Sequence, residues 1–246
     1  MRKELLILIL MVSMLNIAFN ARADWRRYVW TYEYMTMRKG TFELETYVTS
    51  EIPDVNKSNV NTVKPLLELE YGITDRWDLA IYQLFKVSNK SKETDTEYDG
   101  FKLRTRYRIG EKGQFILDPL LYFEYIREEE LSKPNVLEAK LVFAKDIGRY
   151  NFSYNQIVKQ EVDNRGETEN EYAFGSSYEL SRRLRLGLES KGNYTKEKFY
   201  LGPSVSFAAD KFWAGLGMLT GMSAKSDDLQ VRLIIRYPIL KSLFFT

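Results

Sequence analysis

Between Lys102 and Arg108 a cation stands at every second position: Lys102, Arg104, Arg106 and Arg108, interleaved with Leu103, Thr105 and Tyr107. Period-2 spacing puts the cations on one face of a β-strand and the less polar set, flanked by Phe101 and Ile109, on the other. Carboxylates repeat in the same way at Glu43 and Glu45 and at Glu68 and Glu70, with Asp78 following. Arg185, Arg232 and Arg236 add further basic positions on strand faces. Rows of fixed charge on an enclosed face can sort ions and polar solutes, or they can pair and fill the enclosure. Acid–base catalysis has far less to work with. The sequence holds no histidine and no cysteine, which excludes Ser-His and Cys-His nucleophiles, His- or thiolate-based metal centres, disulfides and a lipoprotein anchor. A Ser-Lys pair, or the carboxylates Asp118 and Glu124 on one strand face, is the catalytic arrangement left, and spacing is its sole support. The expectation is no catalytic residues, no metal site and no cofactor, with the twelve charged residues named first as lumen-facing candidates.

Composition narrows the class. The chain has 246 residues, 44% hydrophobic and 14% aromatic, with 36 Lys and Arg against 34 Asp and Glu. A net charge of +2 argues against a nucleic-acid partner, which would call for a stronger basic excess. Arg2 and Lys3, the apolar run from Leu5 to Met14 and the small-x-small motif Ala21-Arg22-Ala23 read as a secretory signal over residues 1–23. Export through the periplasm with Asp24 as the mature start is the expectation. No later run approaches the ~18 apolar residues of a transmembrane helix. Residues 24–39 carry Trp25, Arg26, Arg27, Tyr28, Trp30, Tyr32 and Tyr34, a mixture that suits a membrane edge, a periplasmic extension or a barrel rim.

From residue 40 to 246 the chain alternates. Twelve strands are predicted, over 41–50, 63–71, 77–87, 101–109, 114–127, 135–146, 150–162, 168–180, 183–191, 198–208, 212–221 and 229–237. Gly- and Asp-bearing turns such as 72–76, 110–113, 147–149 and 210–211 alternate along much of the chain with longer polar stretches such as 52–61, 88–100, 128–134 and 222–228. Pro119 removes a ladder donor and predicts a local bulge. Gln156 and Gln160 interrupt an apolar face. An even strand count, strands near the ~9–11 residues needed for a tilted crossing, and short turns alternating with longer loops describe a closed antiparallel up-and-down transmembrane β-barrel. A soluble periplasmic β-sandwich also alternates, but it sets no sign on its polar faces. Here the first two strands carry Glu and the fourth carries only cations; closing the barrel would bring Arg232 and Arg236 beside Glu43 and Glu45.

The strand start Gly40-Thr41-Phe42-Glu43-Leu44-Glu45 and the hairpin from Leu67 through Gly72-Ile73-Thr74-Asp75-Arg76 to Leu79 resemble small Gram-negative outer-membrane barrels. Among these they most resemble a family described as outer-membrane components of a phenol-degradation pathway and labelled transporters. The resemblance is sharpest over residues 25–85 and architectural beyond them. It implies a cell outer-membrane location, lipid and small solutes as partners, and no catalytic residues to carry over. The functional expectation is a small-solute channel with a charged lumen. The alternatives are an occluded structural or surface-binding barrel and, further off, an outer-membrane enzyme. The solute, the openness of the lumen and the oligomeric state are not legible in the sequence.

Overall fold

The computed structural model describes residues 26–57, 59–162, 166–209 and 212–241. The signal predicted over residues 1–23, Asp24, Trp25 and the turn predicted at 210–211 lie outside the described residues. Alternating residues build twelve strands: β1 (Thr41–Ile52), β2 (Asn61–Thr74), β3 (Trp77–Lys90), β4 (Glu93–Arg108), β5 (Asp118–Arg127), β6 (Asn135–Ile147), β7 (Tyr150–Val162), β8 (Thr168–Glu179), β9 (Leu184–Asn193), β10 (Lys198–Ala208), β11 (Trp213–Gly221) and β12 (Leu229–Lys241). Each pairs antiparallel with its sequence neighbours, and β12 closes on β1, giving a 12-stranded up-and-down barrel. The closing register sets Glu45 opposite Arg236, as the charge pattern predicts, but Arg232 falls opposite Thr49, four residues along β1 from Glu45, and not beside a glutamate.

Orientation follows the same alternation. Leu103, Tyr107 and Leu233 are 46%, 47% and 39% exposed, whereas Arg104 is 2% exposed and Arg236 fully buried. Apolar side chains thus face out and charged ones face in, the reverse of a soluble core. The outer surface ends in aromatic clusters at both rims. Phe42 with Tyr71, Tyr150 with Phe152 and Tyr178, and Phe207 with Phe212 and Tyr237 ring the end that carries the start of β1 and the end of β12, here called the near end. Phe85 with Tyr98, Phe101 with Tyr125, and Tyr172 with Tyr194 and Phe199 ring the far end. Two girdles flanking a band of Leu, Ile, Val and Phe are what a bilayer demands of a barrel exterior. Leu103→Arg, within that band, is expected to cost roughly 2–4 kcal/mol of stability in lipid vesicles if it sits near the midplane. Unchanged denaturant unfolding would take this face out of lipid.

Several boundaries differ from the sequence expectation. The polar stretch 88–100 is an extended hairpin rather than a loop: β3 and β4 run on to a two-residue tip at Ser91-Lys92. Water wets both faces there, so the apolar periodicity disappears while the ladder continues, reinforced by Lys86–Glu97 (2.8 Å) and by Thr94 donating to Asn89 (2.9 Å). Residues 114–117 belong to the connection and not to β5. Pro119 is the second residue of β5; the Ile109 carbonyl that its missing N–H would have met accepts from the Tyr34 hydroxyl instead (3.1 Å), and no register shift marks a bulge. Asn61, Gly192 and Asn193 lie in strands rather than loops. Gln156 accepts from the Tyr154 hydroxyl (2.8 Å), and Gln160 donates to the carbonyls of Glu161 and Gly166 (3.0 and 3.2 Å). Both amides therefore find partners on the exterior.

Candidate functional site

The β1–β2 ladder sets Glu43 directly opposite Glu70 and Glu45 directly opposite Glu68. Like charges in such pairs repel, and all four are buried on the inner face. The fold answers with guanidinium groups from other strands. Arg104 on β4 reaches Glu68 and Glu70, both at 2.5 Å, and donates to the Tyr82 hydroxyl at 2.7 Å. Arg106 grips Asp78 through Nε and Nη2 (3.0 and 2.7 Å) and touches Glu70 at 3.1 Å. Arg236 on β12 pairs with Glu43 at 2.9 Å, with Glu70 at 3.4 Å and with Glu45. Arg26 enters from the N-terminal segment to pair with Glu45 (3.0 Å) and to donate to Tyr47 (2.8 Å), whose hydroxyl sits 2.5 Å from Glu45 and 2.8 Å from Glu68. The carboxylate oxygens of Glu43, Glu45 and Glu70 lie within 4.8 Å of one another, spacing that could hold a metal ion. Arg236 contacts all three, and Arg26, Arg104 and Arg106 pair with Glu45 or Glu70, so guanidinium groups already serve as their counter-ions.

The largest departure from expectation concerns residues 24–39. The described part, from Arg26 on, is neither a rim strand nor a periplasmic extension; it folds into the barrel. Arg26, Tyr28, Val29, Trp30, Thr31, Tyr34 and Met37 are all buried. Its deepest stretch is held by one carboxylate of β9. Glu189 accepts from the backbone N–H groups of Val29 (2.7 Å), Trp30 (2.8 Å) and Thr31 (2.8 Å) and from the Thr31 hydroxyl (3.0 Å). Asn155 on β7 pairs with the Tyr32 backbone in both directions, accepting at 2.7 Å and donating at 2.8 Å, and Ser153 donates to the Tyr32 carbonyl at 2.6 Å. Tyr28 donates towards the Asn151 carbonyl (2.7 Å), and Trp213 donates to the Arg26 carbonyl (2.7 Å). The segment then returns to the near end, where Met37 N–H meets Asp78 (2.9 Å) and Thr36 donates to the Asp75 carbonyl (2.8 Å). A backbone without ladder partners must find acceptors elsewhere. The polar inner wall supplies them, and a lipid-facing rim could not. The aromatic residues that suggested an interface instead pack against inward side chains, Trp30 with Tyr47, Tyr200, Trp213, Leu219 and Ile234, and Tyr34 with Leu120, Tyr122 and Val142.

The wall is shaped for this segment. A Cβ on Gly175 of β8 would lie 2.5 Å from the Tyr28 ring, and one on Gly217 of β11 would lie 2.2 Å from the Trp30 ring. Both glycines are floor for an aromatic side chain. Gly217→Val is therefore expected to expel Trp30 while leaving the β-ladder paired. Increased access of an aqueous quencher to tryptophan, with heat-modifiable mobility retained, is the readout. Unchanged quenching would mean the indole has room elsewhere.

All twelve sequence-predicted residues lie on the inner face, in different company. Glu43, Glu45, Glu68, Glu70, Asp78, Arg104, Arg106 and Arg236 form the network above. Arg108 donates to the Thr36 hydroxyl (2.8 Å), so it anchors the returning segment. Lys102 pairs with Glu124 on the neighbouring strand at 3.0 Å. Arg185 is buried near the short turn after β8, 3.2 Å from Glu179. Arg232 donates to Thr49 (2.8 Å) and stands over Trp30. Asp118 and Glu124 share a face but are separate: Asp118 accepts from Gly113 N–H (2.8 Å), while Glu124 takes Lys102 and the Tyr122 hydroxyl (2.5 Å). Six positions along a strand is about 20 Å, too far for one pair to share a proton.

Glu189, Asn155 and the two glycines were not singled out by sequence reasoning. A signal existed in β11, whose inner positions Trp213, Gly215, Gly217 and Leu219 carry no charge. An uncharged, partly side-chain-free stripe inside a polar barrel leaves room for something else.

Closed strand order, a lipid-type exterior and an ionic interior define the architecture of Gram-negative outer-membrane β-barrels. Among solved structures the chain is similar to an outer-membrane channel from Pseudomonas putida F1, with TM-score 0.55 and 12% identity over 86% of this chain and 100% of that one. It is also similar to the porin NanC, with TM-score 0.54 and 8% identity over 80% and 98%. The translocator domain of the autotransporter NalP from Neisseria meningitidis follows at 0.50 and 10% over 81% and 88%. No protein-family model matches the chain, and no curated protein matches its sequence. Identities this low carry the shared fold and nothing finer.

Proposed function

We propose that this protein is an outer-membrane barrel that passes small solutes, with its own N-terminal segment, residues 26–39, closing the lumen at rest. The observation that carries the reading is the pairing of a lipid-type exterior with a charged interior that holds the segment by discrete hydrogen bonds. Such bonds exchange readily for water, so the segment can shift without opening the wall. In this reading the near end faces the periplasm and the hairpin tip at 91–92 faces outward. The channel and porin neighbours are consistent with it, as is the resemblance of the first hairpins to pathway-linked transporters. None of these names a solute.

The test is conductance and solute swelling of the folded protein in liposomes, run beside a form lacking residues 26–37. The expected result is low conductance in the intact protein and a severalfold increase in the shortened one. No flux above a lipid blank from either, with both shown to be folded by heat-modifiable mobility, would overturn transport. It would favour the second reading that the filled interior suggests, a structural barrel.

A further inference from the structure

We propose that Lys191 and Arg232, on either strand side of Trp30, form a binding subsite for a small organic carboxylate; this deepens the transport reading and rests on it. The inference starts from charge accounting inside the barrel. The lysines facing the far half of the lumen are committed: Lys102 to Glu124 at 3.0 Å, Lys140 to Glu138 at 2.6 Å, Lys159 to Glu171 at 2.9 Å. Among the described residues, Lys191 and Arg232 make no ion pair with a carboxylate, although both point inward from β9 and β12. Their common neighbour is an indole. Lys191 Nζ lies 6.0 Å from the Trp30 ring and 5.2 Å from the Tyr200 ring, and the Arg232 guanidinium carbon lies 5.4 Å from the Trp30 ring.

The obvious internal counter-ion is already used. Glu189 sits two positions before Lys191 on the same face, but its oxygens accept three backbone amides and the Thr31 hydroxyl. Arg232 spends Nε on Thr49 (2.8 Å) and Nη1 on the Val29 carbonyl (3.4 Å), leaving Nη2 without a hydrogen-bond partner among the described residues. The buried indole N–H of Trp30 also lacks an acceptor. Two cations therefore stand beside one indole whose N–H has no acceptor, and no described carboxylate pairs with either cation. Both cations remain partly exposed, so a ligand in the lumen can reach them.

The surroundings say what kind of anion. Trp30 and Tyr200 belong to one apolar cluster with Leu219 and Ile234, and Leu66 packs against it. A carboxylate head suits a guanidinium edge and an ammonium. The adjacent aromatic and aliphatic surface favours an organic body behind that head over a bare inorganic ion. Cation–π contacts hold Lys191 and Arg232 in place before the ligand arrives, which lowers the ordering cost of binding.

The probe is benzoate, titrated by calorimetry into the folded full-length protein in detergent, with the neutral benzyl alcohol as comparison. The intact protein is expected to bind benzoate saturably and benzyl alcohol at least tenfold more weakly. Lys191→Gln with Arg232→Gln should weaken benzoate at least tenfold while keeping heat-modifiable mobility. If the double variant does not fold, Lys191→Gln alone, which breaks no side-chain hydrogen bond among the described residues, is expected to weaken binding severalfold. Equal benzoate affinity in the variants, or equal response to benzyl alcohol, overturns the subsite. Benzoate binding without conductance would sink transport and leave the subsite standing; conductance without benzoate binding would do the reverse.

Discussion

Glu189→Ala is expected to release the N-terminal segment and raise conductance severalfold, with trypsin then cutting at Arg26, Arg27 or Arg38 in protein that otherwise resists. Among the described residues, Glu189 is the sole acceptor given to three consecutive backbone amides and a hydroxyl in the middle of the lumen. Leaving a buried donor unpaired costs about 1–3 kcal/mol each, and water entering a vacated site recovers part of that. Even a net loss of about 3 kcal/mol moves a docked-to-undocked ratio more than a hundredfold. The barrel wall should be spared, because β9 is held by backbone pairing to β8 and β10. Glu189→Gln should fall between, since its amide keeps one acceptor oxygen but turns an NH₂ towards N–H donors. Unchanged trypsin protection in Glu189→Ala would mean that Asn155, Tyr28 and Trp213 suffice to hold the segment.

Arg236→Met is expected to cost about 3–5 kcal/mol, read as a lower denaturant midpoint or a lower temperature for loss of the compact band. Its guanidinium stands among Glu43, Glu45 and Glu70 with no exposure to solvent. Methionine fills similar volume, so the loss is electrostatic: three buried carboxylates lose a shared partner, the costly way to break an ionic cluster. The β1–β2 register adds to it, because Glu43 faces Glu70 and Glu45 faces Glu68 whether or not a cation intervenes. Adding Glu45→Gln to Arg236→Met should restore part of the stability, giving a non-additive double-mutant cycle. Full additivity would show that the groups act independently and that the contact network carries no coupling.

What the sequence by itself determined is the barrel and its orientation. Alternation through Phe101–Ile109 and eleven companion strands, with unlike charges on strands that closure brings together, favours the barrel in which Arg236 meets Glu45 over a soluble sandwich. Period-2 patterning is local, so it survives reading along the chain. It failed where its physical cause was missing: beyond Val87 both faces of the hairpin meet water, and around Pro119 the strand begins later than its apolar residues suggest. The contents of the lumen were decided only by the tertiary structure. Arg26, Tyr28 and Trp30 read equally well as residues of a membrane rim, because composition cannot tell lipid headgroups from a polar inner wall. Their place inside depends on Glu189 and Asn155, more than a hundred residues away, and on the space that Gly175 and Gly217 leave for two rings. Hydrogen bonds and close approach at that separation follow from barrel closure, and no window of the chain contains both partners.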